Sequence, residues 1–199
     1  INVAAGTYTE SVIVGNSSGP SIDRLSILGG WDAAFTVRNP ASQETVVVGN
    51  GQGPVFSYVN CTENTLEGFT IRNGLYGVQV SSAGPASQPV TLRVNACTVT
   101  GASSYGIYSL GAYLVVDRSR IIANSGGGIA AHNPYETNRA DITRNVISGN
   151  GIGLYLISSQ LYRIYNNIIT GNGGFGVWMS YPGYWAQVYN NTIIGNGGG

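Results

Sequence analysis

The sequence predicts an all-β fold: a right-handed single-stranded parallel β-helix (β-solenoid) of about 7–8 coils, each of 22–28 residues. A short motif recurs along the chain, as NVISGNG at 145–151, NIITGNG at 167–173 and NTIIGNG at 191–197. Charged residues make up only 9% of the 199 residues, and there are 30 glycines. Helical proteins usually need more Glu, Lys and Leu than this, so the composition favours a scaffold of strands and turns.

The apolar position of the motif sets the length of one coil. Weaker copies precede the three clear ones, as FTIRNGL at 69–75, CTVTGAS at 97–103 and SRIIANS at 119–125. The shared position recurs in steps of 22 to 28 residues and is occupied by Ile71, Val99, Ile121, Ile147, Ile169 and Ile193. A period in the twenties with variable insertions is typical of stacked solenoid coils.

Each coil is predicted to contain three short strands. A glycine-led segment follows each motif, as GVQV at 77–80, GIYS at 106–109, GIAA at 128–131, GLYL at 153–156 and GVWM at 176–179. Because strand side chains alternate between faces, the residue after the glycine should point inward and the next one outward. The inward set is Val78, Ile107, Ile129, Leu154 and Val177, and the outward set is Gln79, Tyr108, Ala130, Tyr155 and Trp178. A third strand precedes the motif, with Val94, Val116, Ile142, Ile164 and Val188 inward.

Asparagines recur at two bends of the predicted coil. One row contains Asn145, Asn167 and Asn191 and continues to Ser119 and Cys97; the other contains Asn124, Asn150, Asn172 and Asn196. Stacked asparagines can form hydrogen bonds from amide to amide along the rod. They also tolerate the left-handed backbone that a sharp bend requires, so a structural role is expected for both rows.

The pattern N-x-I-x-x-N-G-x-G-[ILV] resembles the parallel β-helix repeat of the pectate-lyase-like and NosD-like superfamily. The resemblance is clear over 55–199, and residues 1–54 are expected to form irregular opening coils of the same single domain, 1–199. No capping helix is evident at either end, so the chain is expected to be a fragment of a longer protein or a subunit that stacks end to end with copies of itself.

The resemblance implies the site chemistry to look for. Lyases of this superfamily use Asp-rich calcium sites with an Arg or Lys base, and its polygalacturonase-like hydrolases use several Asp with a Gly-His-Gly segment. The sequence has no Lys, no D-x-D and no G-H-G, and its nine acidic residues are spread out. The best remaining cluster is Asp117, Arg118, Arg120, His132, Glu136, Arg139, Asp141 and Arg144. His132 is expected in a solvated loop, and Asp141 and Arg163 are expected to form a surface ion pair.

Composition excludes several other classes. The formal net charge is zero, which disfavours a general nucleic-acid binder, and no apolar run reaches the roughly 18 residues of a membrane span. One His and two separated Cys predict no metal site, and no cofactor is expected. Cys61 and Cys97 fall at different places around the coil, so buried free thiols are favoured over a disulfide.

Aromatic residues give the strongest surface signal. Tyr108, Tyr155 and Trp178 share one outward row, and Tyr113 and Trp185 share another. Such rows can stack on sugar rings, form a protein interface or simply stiffen the rod as ladders. N-x-S/T sequons at Asn16, Asn60 and Asn190 are candidate glycosylation sites if the protein is secreted.

These observations predict a non-catalytic extracellular or cell-surface β-solenoid with a structural or binding role. Surface proteins, adhesins and fibre subunits are of this kind, with further copies of the chain or a polysaccharide as partner. The alternative is a carbohydrate-active enzyme, a polysaccharide lyase or hydrolase, or its β-helical portion. That alternative requires acidic residues to meet beside an arginine in a cleft.

Overall fold

A computed structural model describes residues 1–15, 22–82, 90–132, 139–157, 161–180 and 185–198. These ranges contain 23 β-strands and no helix. The described residues accordingly include no helix that is long and apolar enough to cross a membrane.

The strands follow one another in groups of three, one group for each coil. They are β1 (Asn2–Ala4), β2 (Gly6–Thr9) and β3 (Val12–Gly15); β4 (Ser26–Trp31), β5 (Thr45–Val48) and β6 (Phe56–Val59); β7 (Asn64–Glu67), β8 (Phe69–Arg72) and β9 (Val78–Ser81); β10 (Thr91–Asn95), β11 (Thr98–Thr100) and β12 (Tyr105–Leu110); β13 (Tyr113–Asp117), β14 (Arg120–Ile122) and β15 (Gly127–His132); β16 (Arg139–Thr143), β17 (Val146–Ser148) and β18 (Leu154–Ile157); β19 (Leu161–Tyr165), β20 (Ile168–Thr170) and β21 (Val177–Ser180); and then β22 (Gln187–Tyr189) and β23 (Thr192–Ile194).

Three parallel sheets run along the rod. Sheet A contains β1, β4, β7, β10, β13, β16, β19 and β22; sheet B contains β2, β5, β8, β11, β14, β17, β20 and β23; and sheet C contains β3, β6, β9, β12, β15, β18 and β21. Each strand pairs with the equivalent strand of the next coil, which makes about seven turns of a parallel β-solenoid. The predicted fold class is therefore confirmed.

The core is built from the inward rows that the alternation pattern predicts. In sheet B the register pairs Val99 with Ile121 and Ile147 with Ile169, and all four side chains are fully buried. Most of the inward residues predicted in sheets A and C are equally buried. Val177 is half-buried and Val188 is exposed, because they lie in β21 and β22, the last described strands of their sheets.

The asparagine rows form two continuous ladders, as predicted. In the second ladder the backbone N–H and the side-chain Nδ2 of Asn124 both donate to Oδ1 of Asn150, each over 3.0 Å. Asn150 repeats both bonds to Asn172, which repeats them to Asn196. Each asparagine of this ladder also donates from Nδ2 to a main-chain carbonyl of the preceding coil, such as that of Ile121 for Asn150. The ladders thus satisfy polar backbone groups inside the rod.

The left-handed residues of the bends differ from the prediction. The ladder asparagines themselves do not have positive φ; the residue before each one does. Arg144 before Asn145 has a φ of 56°, and Gly149 before Asn150 has a φ of 66°. The chain bends at this preceding residue as it passes from one sheet to the next, and the amide of the asparagine that follows is directed into the rod.

Both cysteines are free and buried, as expected. The thiol of Cys97 lies 3.7 Å from the carbonyl oxygen of Leu66, and that of Cys61 lies 3.7 Å from that of Val14. Burial raises the pKa of Cys97 to about 11, which keeps this thiol protonated and unreactive near neutral pH.

Candidate functional site

An outward row of sheet C carries aromatic side chains along the rod. The strand register places Gln79, Tyr108, Ala130, Tyr155 and Trp178 side by side in consecutive coils. This is the row that the alternation pattern predicts.

Six rings form one continuous surface over this row, here called the aromatic strip: Tyr76, Tyr108, Tyr105, Tyr155, Trp178 and Phe175. Ring centroids of successive members lie 4.9, 6.3, 6.3, 5.5 and 5.0 Å apart. The strip ends with Trp178 and Phe175, which are 42% and 37% exposed. Rings at these separations contact one another and still present faces or edges to the solvent.

A small residue in the row explains how the strip stays continuous. Ala130 stands between Tyr108 and Tyr155, and Tyr105, the first residue of β12, covers the gap. Gly127, which pairs with Tyr105 in the next coil, makes this possible, because a Cβ atom at that position would lie 2.7 Å from Cε1 of Tyr105. A cavity of about 90 Å³ remains there.

His132 lines this small cavity together with the tyrosines of the strip. The prediction that it lies in a loop is wrong: it is the last residue of β15 and is half-buried, since strand pairing with β12 and β18 extends that far. No side-chain hydrogen bond joins it to another residue in the described ranges. It is therefore placed beside the strip, and none of the described residues orients its side chain.

The other predicted surface residues lie elsewhere. Tyr113 is in sheet A, and Trp185, which is 65% exposed, precedes β22 of the same sheet.

Half of the aromatic strip was missed by sequence reasoning. The missed residues each stand directly before the glycine of a sheet C segment; they are Tyr76, Tyr105 and Phe175. The two-residue alternation was applied only from the glycine onward, so it did not predict on which face these three side chains lie. Their shared place next to that glycine is the signal in the sequence that could have identified them.

The glycosylation candidates are partly described. Asn190 is exposed and has a φ of 54°, so it faces outward as predicted, and Asn60 is half-buried at the end of β6. Asn16 lies outside the described residues, as does Glu136 of the predicted polar cluster.

A second candidate site lies on the outer face of sheet A. Two neighbouring outward rows run along the rod there: Thr65, Arg93, Val115, Asp141 and Arg163 in one, and Glu67, Asn95, Asp117, Thr143 and Tyr165 in the other. With the exception of Arg163, these residues line a groove of about 490 Å³ together with Arg118 and Arg144 from the adjoining bend. It is here called the arginine groove.

Asp117 organises the middle of the arginine groove. Arg144 donates from Nε and Nη2 to its two carboxylate oxygens over 2.8 and 2.7 Å, and Thr143 donates its hydroxyl over 2.7 Å. Nε of Arg118 lies 3.1 Å from the same carboxylate, while its Nη2 donates to Oδ1 of Asn95 over 3.3 Å. Two-pronged arginine–carboxylate contact fixes the direction of both side chains.

Asp141 is held by a different arginine from the one expected. Oδ2 of Asp141 accepts from the hydroxyl of Tyr113 over 2.7 Å and from Nη2 of Arg139 over 3.0 Å. Arg139 also donates to the hydroxyl of Tyr113, and its guanidinium lies 4.1 Å from the centre of that ring. The predicted ion pair with Arg163 is absent from the described ion pairs, although the register does place Arg163 beside Asp141. Arg139 contacts Oδ2 of this carboxylate, and Oδ1 is buried without a hydrogen-bond partner among the described residues.

The electrostatics of the groove favour the ionised forms of Glu67 and Asp117. Burial alone would raise the pKa of Asp117, but hydrogen bonds from Arg144 and Thr143 and the nearby arginine charges lower it below its usual value. Burial likewise opposes ionisation of Glu67, and hydrogen bonds from Asn95 and Arg38 lower its pKa overall. A general acid needs a raised pKa, so these two carboxylates are suited to holding arginines rather than to donating protons.

Asp117 should make the stability of the rod depend on pH in the acid range. A carboxyl with a lowered folded-state pKa stabilises the fold above its unfolded pKa of about 3.9, and this stabilisation is lost as pH falls through the folded value. Asp117→Asn is therefore expected to lower the free energy of unfolding near pH 7 and to have a smaller effect at about pH 3.

Urea denaturation of both proteins at the two pH values measures this difference. Glu10→Gln, at an exposed carboxylate outside the arginine groove, is the control and should have little effect on stability. An Asp117→Asn effect that is the same in acid and at neutral pH would contradict the assignment.

The described residues contain no group of three or more His, Cys, Asp or Glu side chains that could hold a metal ion. In the arginine groove each carboxylate is instead directed at an arginine. The groove as described is thus built from ion pairs and hydrogen bonds.

A rod of three parallel sheets with internal asparagine ladders is a parallel β-solenoid. The chain belongs to the right-handed β-helix family, because the family model described as "Right handed beta helix region" matches residues 86–199, more than half of the sequence. Among solved structures it is similar to the crystal structure of pectate lyase Pel9A, with 13% identity and a TM-score of 0.37 over 98% of this chain and 70% of that chain. The comparison with curated proteins finds no match.

Proposed function

We propose that the protein is a polysaccharide-binding β-solenoid that acts outside the cell, as part of a surface protein, adhesin or fibre, and that it binds sugar chains along its aromatic strip. The observation that carries this proposal is the run of six contacting rings along sheet C, contributed by four of five successive coils. Aromatic rings provide large apolar faces with a polar edge, which suits the apolar faces and hydroxyls of pyranose rings.

The geometry of the rod supports an extended ligand. Equivalent positions on successive coils are separated by the parallel-strand spacing of about 4.8 Å, so the strip extends about 19 Å along the rod from the coil of Tyr76 to that of Trp178. The exposed ring of Trp178, at 42%, is well placed for the strongest single contact. Tryptophan and tyrosine are the residues that most often dominate binding energy at such surfaces.

A binding role agrees better with the described carboxylates than an acid-catalysed reaction does. The two carboxylates whose pKa is shifted in the arginine groove, Glu67 and Asp117, are shifted downward. A glycoside hydrolase needs one carboxyl group that keeps its proton near neutral pH. The enzyme alternative would gain support if the protein released reducing sugars or unsaturated products from a polysaccharide that it binds.

Replacing Trp178 with alanine is expected to weaken binding to an insoluble neutral polysaccharide about tenfold, which corresponds to about 1.4 kcal/mol. The measurement is depletion of the protein from solution by cellulose, xylan, chitin and starch, each tested separately. Because Trp178 also packs against Tyr155 and Phe175, binding is measured at a temperature at which thermal denaturation shows both proteins to be folded.

Trp185→Ala is the matched control for this experiment. Trp185 is a still more exposed tryptophan, at 65%, and lies outside the aromatic strip. Its removal should leave polysaccharide binding unchanged. Equal losses in the two variants, or failure of the wild-type protein to bind any of the four polymers, would rule out the strip as the binding surface.

A further inference from the structure

The arginine groove on sheet A has more positive charge than its carboxylates neutralise. Each of the three carboxylates on this face has an arginine partner, in the pairs Glu67–Arg38, Asp117–Arg144 and Asp141–Arg139. Arg118 shares Asp117 with Arg144, so the carboxylate of Asp117 faces two guanidinium groups.

Two further arginines on this face have no carboxylate partner in the described part of the chain. Arg93 is exposed in the middle of β10, and Arg163 is half-buried in β19. Neither forms an ion pair or side-chain hydrogen bond with another described residue. They belong to the same outward row three coils apart, which corresponds to about 14 Å along the rod at parallel-strand spacing.

The walls of the groove supply hydrogen-bonding and stacking groups. The half-buried hydroxyl of Thr65 lines the groove between its charged residues. Asn95 and Thr143 line it too, but they already form hydrogen bonds with the charged side chains of the groove. At one end Tyr165 stacks on Tyr189 with the ring planes 2° apart and the centroids separated by 5.0 Å. Hydroxyls and amides can bind sugar hydroxyls, and a stacked pair of tyrosines offers a flat apolar surface for a sugar ring.

We propose that the arginine groove is a second binding site, separate from the aromatic strip, that takes an acidic oligosaccharide lying along the rod axis. Its carboxylate or sulfate groups would contact Arg93 and Arg118, which line the groove, and then Arg163, which lies next to Asp141 in the same outward row. The planar guanidinium groups of these arginines match the geometry of an oxyanion. A formal net charge of zero for the whole chain disfavours a nucleic acid, which needs a large excess of basic residues.

The site does not depend on the proposed function, because the two surfaces lie on different sheets. The test is calorimetric titration of the complete chain with a heparin-derived sulfated oligosaccharide, an oligogalacturonate, a neutral xylo-oligosaccharide and polyglutamate. We expect one or both charged saccharides to bind, and the tighter of the two identifies the oxyanion. Polyglutamate should bind more weakly than either of them.

Arg93→Ala should weaken the binding of the charged saccharide about tenfold, the effect of one lost charge-assisted contact. Since Arg93 is exposed, the fold should tolerate this change. Arg93→Lys keeps the positive charge but not the planar guanidinium group, so it should give an intermediate loss of affinity. The matched control is Arg120→Ala, because Arg120 is an exposed arginine on sheet B. It should have little effect.

Binding of the neutral saccharide separates the two proposals. Arg93→Ala should leave it unchanged, whereas Trp178→Ala should reduce it. The arginine groove is ruled out as an acidic-saccharide site if neither charged saccharide binds, if Arg93→Ala and Arg120→Ala weaken binding equally, or if polyglutamate binds as tightly as the saccharides.

Discussion

Replacing Asn150 with alanine is expected to destabilise the rod by about 4 kcal/mol, among the largest effects of a single substitution. Asn150 is 2% exposed and lies in the middle of its ladder. Without its side chain, the backbone N–H and the Nδ2 of Asn124 lose their acceptor, and the carbonyl of Ile121 loses its donor. Each buried polar group left without a partner costs about 1–3 kcal/mol.

Thermal and urea denaturation measure this loss against that caused by Asn2→Ala. Asn2 is an exposed asparagine of β1, so its removal should change the free energy of unfolding by less than about 0.5 kcal/mol. If the two variants proved equally stable, the ladder would not contribute the hydrogen bonds that its geometry indicates.

Replacing Gly153 with alanine is expected to lower the free energy of unfolding by about 3 kcal/mol, because the packed coils leave no space for a side chain at this position. A Cβ atom at this position would lie 2.3 Å from the carbonyl oxygen of Gly176 and 2.9 Å from Cγ2 of Ile169. The obstacle is the backbone of the next coil, which cannot move without disturbing the strand pairing above it. The same contact recurs down the row, since a Cβ on Gly128 would lie 2.7 Å from the carbonyl oxygen of Gly153.

Two other glycines separate this steric effect from the general effects of alanine. A Cβ atom on Gly53 would meet no other atom within 4 Å, and the φ of this residue is not positive, so Gly53→Ala should be nearly neutral. Gly171 also has free space but has a φ of 64°, so Gly171→Ala should cost only the left-handed strain of about 1–2 kcal/mol. A Gly153→Ala protein as stable as the Gly53→Ala protein would show that the coils can move apart without loss of stability.

The fold could be predicted from the sequence because the solenoid repeats its local rules. The inward rows follow directly from the motif: Ile121 and Ile147, for example, occupy the same place in successive repeats and prove to be paired and buried. Repetition also predicts the ladders, since an asparagine that recurs at one bend can stack only on its own equivalents. The glycine before each inward residue of sheet C is also required by the stacking of coils, because a Cβ atom there would collide with the neighbouring coil. These glycines do not have a left-handed backbone conformation.

The candidate sites were predicted less completely than the fold. They depend on side chains that lie before the alternating part of a strand, or that contact residues in another row. Tyr105 joins the aromatic strip only because Ala130 and Gly127 leave room beside it, a relation between different coils that no single segment contains. In the arginine groove the residues were recognised but their pairing was not. Asp141 pairs with Arg139, two positions away on its own strand, rather than with Arg163 on the next coil.

The asparagine ladders also give the rod a dipole along its axis. In both ladders every bond between rungs runs the same way, from the N–H groups of one coil to the Oδ1 of the following coil. The peptide dipoles of the strands alternate and largely cancel, whereas the aligned side-chain amides add together. Hydrogen bonds in such a chain polarise one another, so each added amide rung strengthens its neighbours. In the first ladder Ser119 and Cys97 stand where asparagines would continue the row, so the chain of side-chain amides stops at Asn145. The aligned amide dipoles therefore extend over fewer coils than the row itself does.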